Sequence, residues 1–298
     1  MTKIRKSGNS SMVTDRRGSG GGGGGGFGGL GGGGGIPLPG KLGGGLVGII
    51  VALAIAFLPR LLNGAGTTNS AADTGGATTS VNECDTELAQ VICGATEDVQ
   101  TFWIAEMPKA FGNQYEVTQT VFFSGATSTG CGQASAQTGP FYCPADHLVY
   151  FDLDFLQQLQ DQFDAQGDLA AAYIVAHEYG HHLQNLLGTN AQVQQASQND
   201  PGNANQYSVA LELQADCYGG VWANDAKARG QFENDSEIDE AVEAARAVGD
   251  DRIQQKTQGR IDPESFNHGT SEQRATWFKR GYSTGDPLQC DTFKEVLG

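Results

Sequence analysis

Hydrophobic and polar positions divide the chain into two unlike parts. From residue 83 onward, patterned segments follow one another closely. Segments 85–92 and 97–111 read as helices. Segment 114–123, with YEVTQTVFF, alternates and is rich in β-formers, so it reads as a strand. A second short strand covers 147–153 (HLVYFDL), and a helix follows over 154–163. Asp168 suits the start of a helix over 169–187, which Gly188 would close. Further helices are expected over 208–224, 236–255 and 271–281, with Ser236 and Ser271 as caps. Residues 190–206 are polar and read as loop. Helices dominate and strands come early, which predicts a mostly helical α+β domain with a small sheet over 83–298.

The first 82 residues carry no such pattern. Residues 1–17 are polar and basic (Lys3, Arg5, Lys6, Arg16, Arg17), and disorder is expected there. Of the 44 glycines, 19 fall within 18–45, so 1–41 reads as a flexible tail. Segment 42–59, LGGGLVGIIVALAIAFLP, then runs 18 residues without a charge. Spanning a bilayer takes about 20 apolar residues. A buried core helix would find nothing to pack against among glycine-rich neighbours. A cleaved signal peptide lacks a small-x-small site after the apolar run. A transmembrane signal anchor fits better. Six Lys/Arg precede the run and only Arg60 follows closely, which puts the N-terminus in the cytoplasm and the domain outside a cell membrane. Residues 60–82 read as a flexible stalk.

Charge and cysteines narrow the class. The net charge is −16. Residues 64–298 hold 11 Lys/Arg against 33 Asp/Glu, a balance that repels nucleic acid at close range. All six cysteines lie beyond the apolar run. An even count in an extracytoplasmic domain points to disulfides, and six cysteines allow 15 pairings. Cys131 with Cys143 is the first expected pair, because they flank a Gly/Pro-containing loop. Cys84 with Cys93 and Cys217 with Cys290 would complete the set. Metal-type C-x-x-C spacing is absent. Buried free thiols are the bland alternative.

The chemistry concentrates in AHEYGHH, residues 176–182. His177, Glu178 and His181 form H-E-x-x-H in the middle of a predicted helix. Residues four apart share a helix face, so both imidazoles can reach one metal ion. Glu178 lies beside that face, where it can take a proton from water. On its own the motif could be a chance match on a polar helix. A catalytic zinc takes three protein ligands. The extended motif with a third histidine fails, since Gln184 and Leu187 stand at its last two positions. His182 points elsewhere and reads as a surface or packing residue. The best third ligand is Glu212, in LELQADCYGGVW (211–222), where apolar neighbours make burial expected. Asp216, four residues on, could accept a hydrogen bond from the second nitrogen of a ligand histidine.

HEYGHH, LELQADCYGGVWA and HGTSEQRATWFKRGY, together with TDRRG before a glycine tract, resemble the bacterial neutral zinc metallopeptidases over nearly the whole chain. The resemblance implies a zincin-type domain, a Zn2+ cofactor and peptide hydrolysis. The Glu-x-x-x-Asp pair is similar to that of membrane-bound gluzincins, which carry a later His-Pro…Arg element. By that similarity His268 would stabilise the oxyanion and Arg274 would organise the site, although Gly269 stands where the proline would be. The expected substrate is an extended or unfolded peptide, paired along the strand 147–153. Two other readings stay open: a zinc-containing binding or scaffold module, and a zinc hydrolase of a non-peptide amide.

Overall fold

The computed structural model describes residues 6–17, 83–163, 167–232 and 234–297. Segment 42–59 and the stalk 60–82, expected from sequence, lie outside the described residues. No described helix is long and apolar enough to cross a membrane.

Helices dominate, and the strands are short and mostly early, so the architecture is α+β. Helix α1 (Glu87–Phe111) is one rod where two segments are expected, since nothing at 93–96 breaks it. Thr86 caps its first turn through its side chain, and Gly112 closes it in the left-handed region. Strand β1 (Val13–Asp15) opens a four-stranded sheet ordered β1-β2-β6-β5. The others are β2 (Thr120–Phe123), β5 (Phe141–Cys143) and β6 (Leu148–Asp152). A separate hairpin pairs β3 (Ala126–Thr129) with β4 (Gly132–Ser135).

Three expectations change here. Residues 6–17 are not disordered: β1 pairs parallel to β2, Val13 against Thr120, and Val13 is buried. The strand expected over 114–123 forms only at 120–123. Its earlier backbone is taken by a side chain: Thr118 N–H donates to Gln100 Oε1 at 2.8 Å, and Gln100 Nε2 donates to Thr118 O at 3.0 Å. Strand β6 lies between β2 and β5, so it has no open edge for a substrate. The edge strand beyond it is β5.

Helix α2 (Leu153–Phe163) leads to α3 (Asp168–Leu186), which carries H-E-x-x-H. Gly167 rather than Asp168 sits at its cap, with φ +124. The expected loop 190–206 instead folds as α4 (Thr189–Asn199), which buries Asn190 and Val193. Helix α5 (Ala204–Ala228) carries Glu212 and Asp216. The helix expected over 236–255 is two, α6 (Asp235–Ala247) and α7 (Asp250–Gln258). The break is steric: a Cβ on Gly249 would lie 2.3 Å from Ser271 N, where α8 (Ser271–Thr284) begins. Thr270, not Ser271, caps α8, in a reciprocal box with Gln273. Short α9 (Thr292–Val296) ends the chain.

All three expected disulfides form: Cys84–Cys93, Cys131–Cys143 and Cys217–Cys290. The last ties the C-terminal segment to α5. Around α3 the core closes on Trp103, Phe122, Phe151, Tyr179, Trp222 and Phe278, all essentially inaccessible.

Candidate metal centre

Glycines decide how closely the helices approach. A Cβ on Gly180 would lie 3.0 Å from the Ala215 backbone, so α3 and α5 meet nearly backbone to backbone between His177 and His181. On the other side of α5, a Cβ on Gly220 would lie 2.0 Å from Phe278 O, and one on Gly281 2.0 Å from Cys217 O. Helix α8 therefore presses on α5 as tightly as chain geometry allows, and only glycine fits there.

This packing brings the predicted residues together. His177 Nε2 lies 3.2 Å from Glu212 Oε2, and His181 Nε2 lies 3.4 Å from Glu212 Oε1. The ligand atoms of all three lie within 4.8 Å of one another. Two imidazole nitrogens and a carboxylate oxygen, largely shielded from water, match the donor set that zinc takes in catalytic sites. Burying an ionised carboxylate is costly without such a counter-charge. Burial pushes Glu212 up, but His181 and His177 outweigh it and hold the carboxyl well below the usual range. Burial also opposes a charge on His177, and Asp216 outweighs that, lifting the ring to about 9. A proton and a metal ion therefore compete for His177 Nε2.

The far side of each imidazole is fixed. His177 Nδ1 donates to Asp216 Oδ1 at 2.8 Å. Asp216 is fully buried and also accepts from Tyr173 Oη at 2.5 Å and from Arg274 Nε and Nη2 at 2.8 and 2.9 Å. Burial raises the Asp216 carboxyl, but Arg274 and His177 hold it below its ordinary value. His181 Nδ1 donates to Gln184 Oε1 at 2.9 Å. The Gln184 amide then donates to Leu211 O at 2.7 Å, so one buried side chain clamps α3 to α5. These contacts leave both Nε2 atoms facing Glu212.

Glu178 is buried beside this group, and burial raises its carboxyl while His177 and His181 pull it down. His268 lies three residues before α8, near enough to help hold Glu212 ionised. Its Nδ1 donates to Asp250 Oδ1 at 3.1 Å. The other Asp250 oxygen accepts from the backbone N–H of Asn267, His268 and Gly269. Gly269 has φ +89, a left-handed conformation that proline, with φ near −65°, cannot adopt.

Sequence reasoning missed Tyr173, Gln184 and Asp250. Tyr173 and Gln184 had a signal, since they continue the ligand face of α3 four residues before His177 and three after His181. Asp250 had none, because its partner His268 lies 18 residues on, beyond α7 and the turns that follow it. His182 is a packing residue: it is buried, with Nδ1 against Tyr142 Oη at 3.1 Å and Nε2 against Glu116 O at 2.7 Å. His147, exposed at φ +61, has its ring 6.5 Å from that of His182 and is not among the three converging groups.

The family model described as "Putative neutral zinc metallopeptidase" matches residues 2–293. The uncharacterised protein YpfJ of Escherichia coli (strain K12) is 44% identical over 293 residues, covering 97% of each chain. The uncharacterised protein Mb2605 of Mycobacterium bovis is 52% identical over 181 residues, 57% of this chain and 60% of its own. No solved structure matches. Matched over nearly its whole length, the chain belongs to the neutral zinc metallopeptidase family.

Proposed function

We propose that the protein is a zinc-dependent peptidase working outside the cytoplasm, with His177, His181 and Glu212 as the residues that hold the ion. One observation carries the reading: two imidazoles from α3 and a carboxylate from α5 converge beside a second buried carboxylate, Glu178. A zinc ion there supplies Lewis acidity, which acidifies water and polarises a carbonyl oxygen. Glu178 accepts the proton of the attacking water and passes it to the amine nitrogen that leaves. Its raised affinity for a proton suits both halves of that task. His268, held by Asp250, hydrogen-bonds the oxygen that gains charge. Arg274 positions Asp216, and Asp216 positions His177.

Extended or unfolded peptides are the substrate this architecture suits. The outer strand of the sheet on the α3 side is β5, whose Tyr142 touches His182 of α3. A peptide adding to β5 would run beside the ligand helix. Three disulfides suit an oxidising compartment. A scaffold that merely stored zinc would have no use for a second carboxylate buried beside the ligands. Zinc content and cleavage of a mixed peptide library by the full chain test the reading. Stoichiometric zinc with no cleavage would leave the scaffold, and cleavage only of non-peptide amides would move the activity to that class.

A further inference from the structure

The N-terminal segment is built into the domain. Thr120 N–H donates to Met12 O at 2.9 Å, and Arg16 N–H to Phe122 O at 2.8 Å. Val13 and Ser10 are buried. Arg17 pairs with Asp15 at 2.7 Å and Asp85 at 3.0 Å, donates to Glu83 O, and lies over the Phe122 ring. Lys6 pairs with Glu87 at 2.6 Å and with Asp168, the first residue of α3, at 3.3 Å. Ser7 N–H donates to Gln90 O at 3.1 Å. A basic segment thus lies on an acidic rim, held by a ladder, ion pairs and buried side chains at once.

A β-ladder has no reach across a bilayer whose hydrocarbon core is about 30 Å thick. The single-crossing anchor expected from segment 42–59 would put residues 6–17 and 83–297 on opposite sides. We infer that residues 6–17 and the domain carrying the candidate metal centre occupy the same, oxidising compartment. The conclusion holds whether β1 comes from the same chain or from a second copy. It is independent of the peptidase reading.

Thr14 stands directly opposite Val121 in the β1–β2 register, which makes that pair a reporter. The full chain carrying Thr14→Cys and Val121→Cys is expressed in cells, its free thiols are alkylated before lysis, and linked peptides are identified by mass spectrometry. A disulfide between positions 14 and 121 in most folded chains is expected, alongside the three native ones. An alkylated cysteine at position 14 in chains with all three native disulfides would overturn the inference. A second arm uses the unmutated chain with an N-terminal tag, in spheroplasts treated with external protease. Tag and domain should respond alike, both digested or both resistant to the same degree as in lysed cells. A tag protected until lysis while the domain is cut would overturn the inference.

Discussion

Gly180 and Ala215 meet nearly backbone to backbone, the Ala215 backbone lying 3.0 Å from where a Gly180 Cβ would stand, on the two helices that carry His177 and His181 and the Glu212 that faces them. The distance between α3 and α5 at this contact sets whether Glu212 reaches both imidazoles. Gly180→Ala should therefore loosen the metal site more than the fold. Overpacking of this kind costs about 1–3 kcal/mol. Zinc affinity measured by competition with a chromophoric chelator should fall, and Gly180→Val should lower it further. Unchanged affinity in both variants would separate the helix contact from the site.

Asp216 joins three side chains, Tyr173, His177 and Arg274, and removing it strands a buried guanidinium. Asp216→Ala should lower stability by about 3–5 kcal/mol, because Arg274 stays charged and loses its main partner. Zinc affinity should drop by roughly 10–100-fold, since His177 loses the acceptor that orients it. Denaturant unfolding and zinc titration read the two effects separately. The Asp216→Ala, Arg274→Met pair should recover stability without recovering affinity.

His268 and Asp250 predict a split in the kinetic constants. If His268 meets the oxygen only as charge develops, His268→Ala should lower kcat, by roughly 10²–10³-fold, and leave KM nearly unchanged. Asp250→Asn keeps one acceptor for the backbone N–H groups and weakens the hold on the ring, so it should lower kcat by less. Zinc content should stay at the wild-type level in both. A KM effect alone would make His268 a substrate-binding residue.

Acid should release the N-terminal strand before it unfolds the domain. Burial raises Asp15, but Arg17 outweighs it and leaves the carboxyl below its ordinary value. Glu87 is likewise lowered by Lys6. Asp85 faces Arg17 and Asp168 faces Lys6, and both cations keep their charge in acid. A carboxylate with a depressed folded pKa stabilises the docked state above its unfolded pKa of about 4, and that contribution disappears as pH falls through the folded value. Amide exchange of residues 12–16, compared with α3, should accelerate selectively below about pH 4. Equal acceleration in α3 would count against a separately docked strand.

What the chain revealed in advance followed from spacing within single elements. His177 and His181 four apart, and Glu212 and Asp216 four apart among apolar neighbours, could be paired because each pair declares its own face. The remaining features depend on contacts between elements. Strand β1 has three residues and finds its partner more than 100 positions away, across a glycine tract with no pattern of its own. Helix α4 is mostly polar and is held by burying Val193 and Asn190, too few positions for a periodicity to announce it. The break at Gly249 exists only because Ser271 packs against it. Asp250 became a partner of His268 through that same break.

The central claim is that Glu178 moves a proton at a zinc site. The direct measurement is zinc content and peptide hydrolysis of the full chain, wild type beside Glu178→Gln. The account predicts about one zinc per chain in both, since Glu178 is not among the three converging ligands, with hydrolysis in the wild type and a loss of roughly 10²–10⁴-fold in the variant. Equal hydrolysis by the two proteins, or a wild type that binds no zinc, would contradict it.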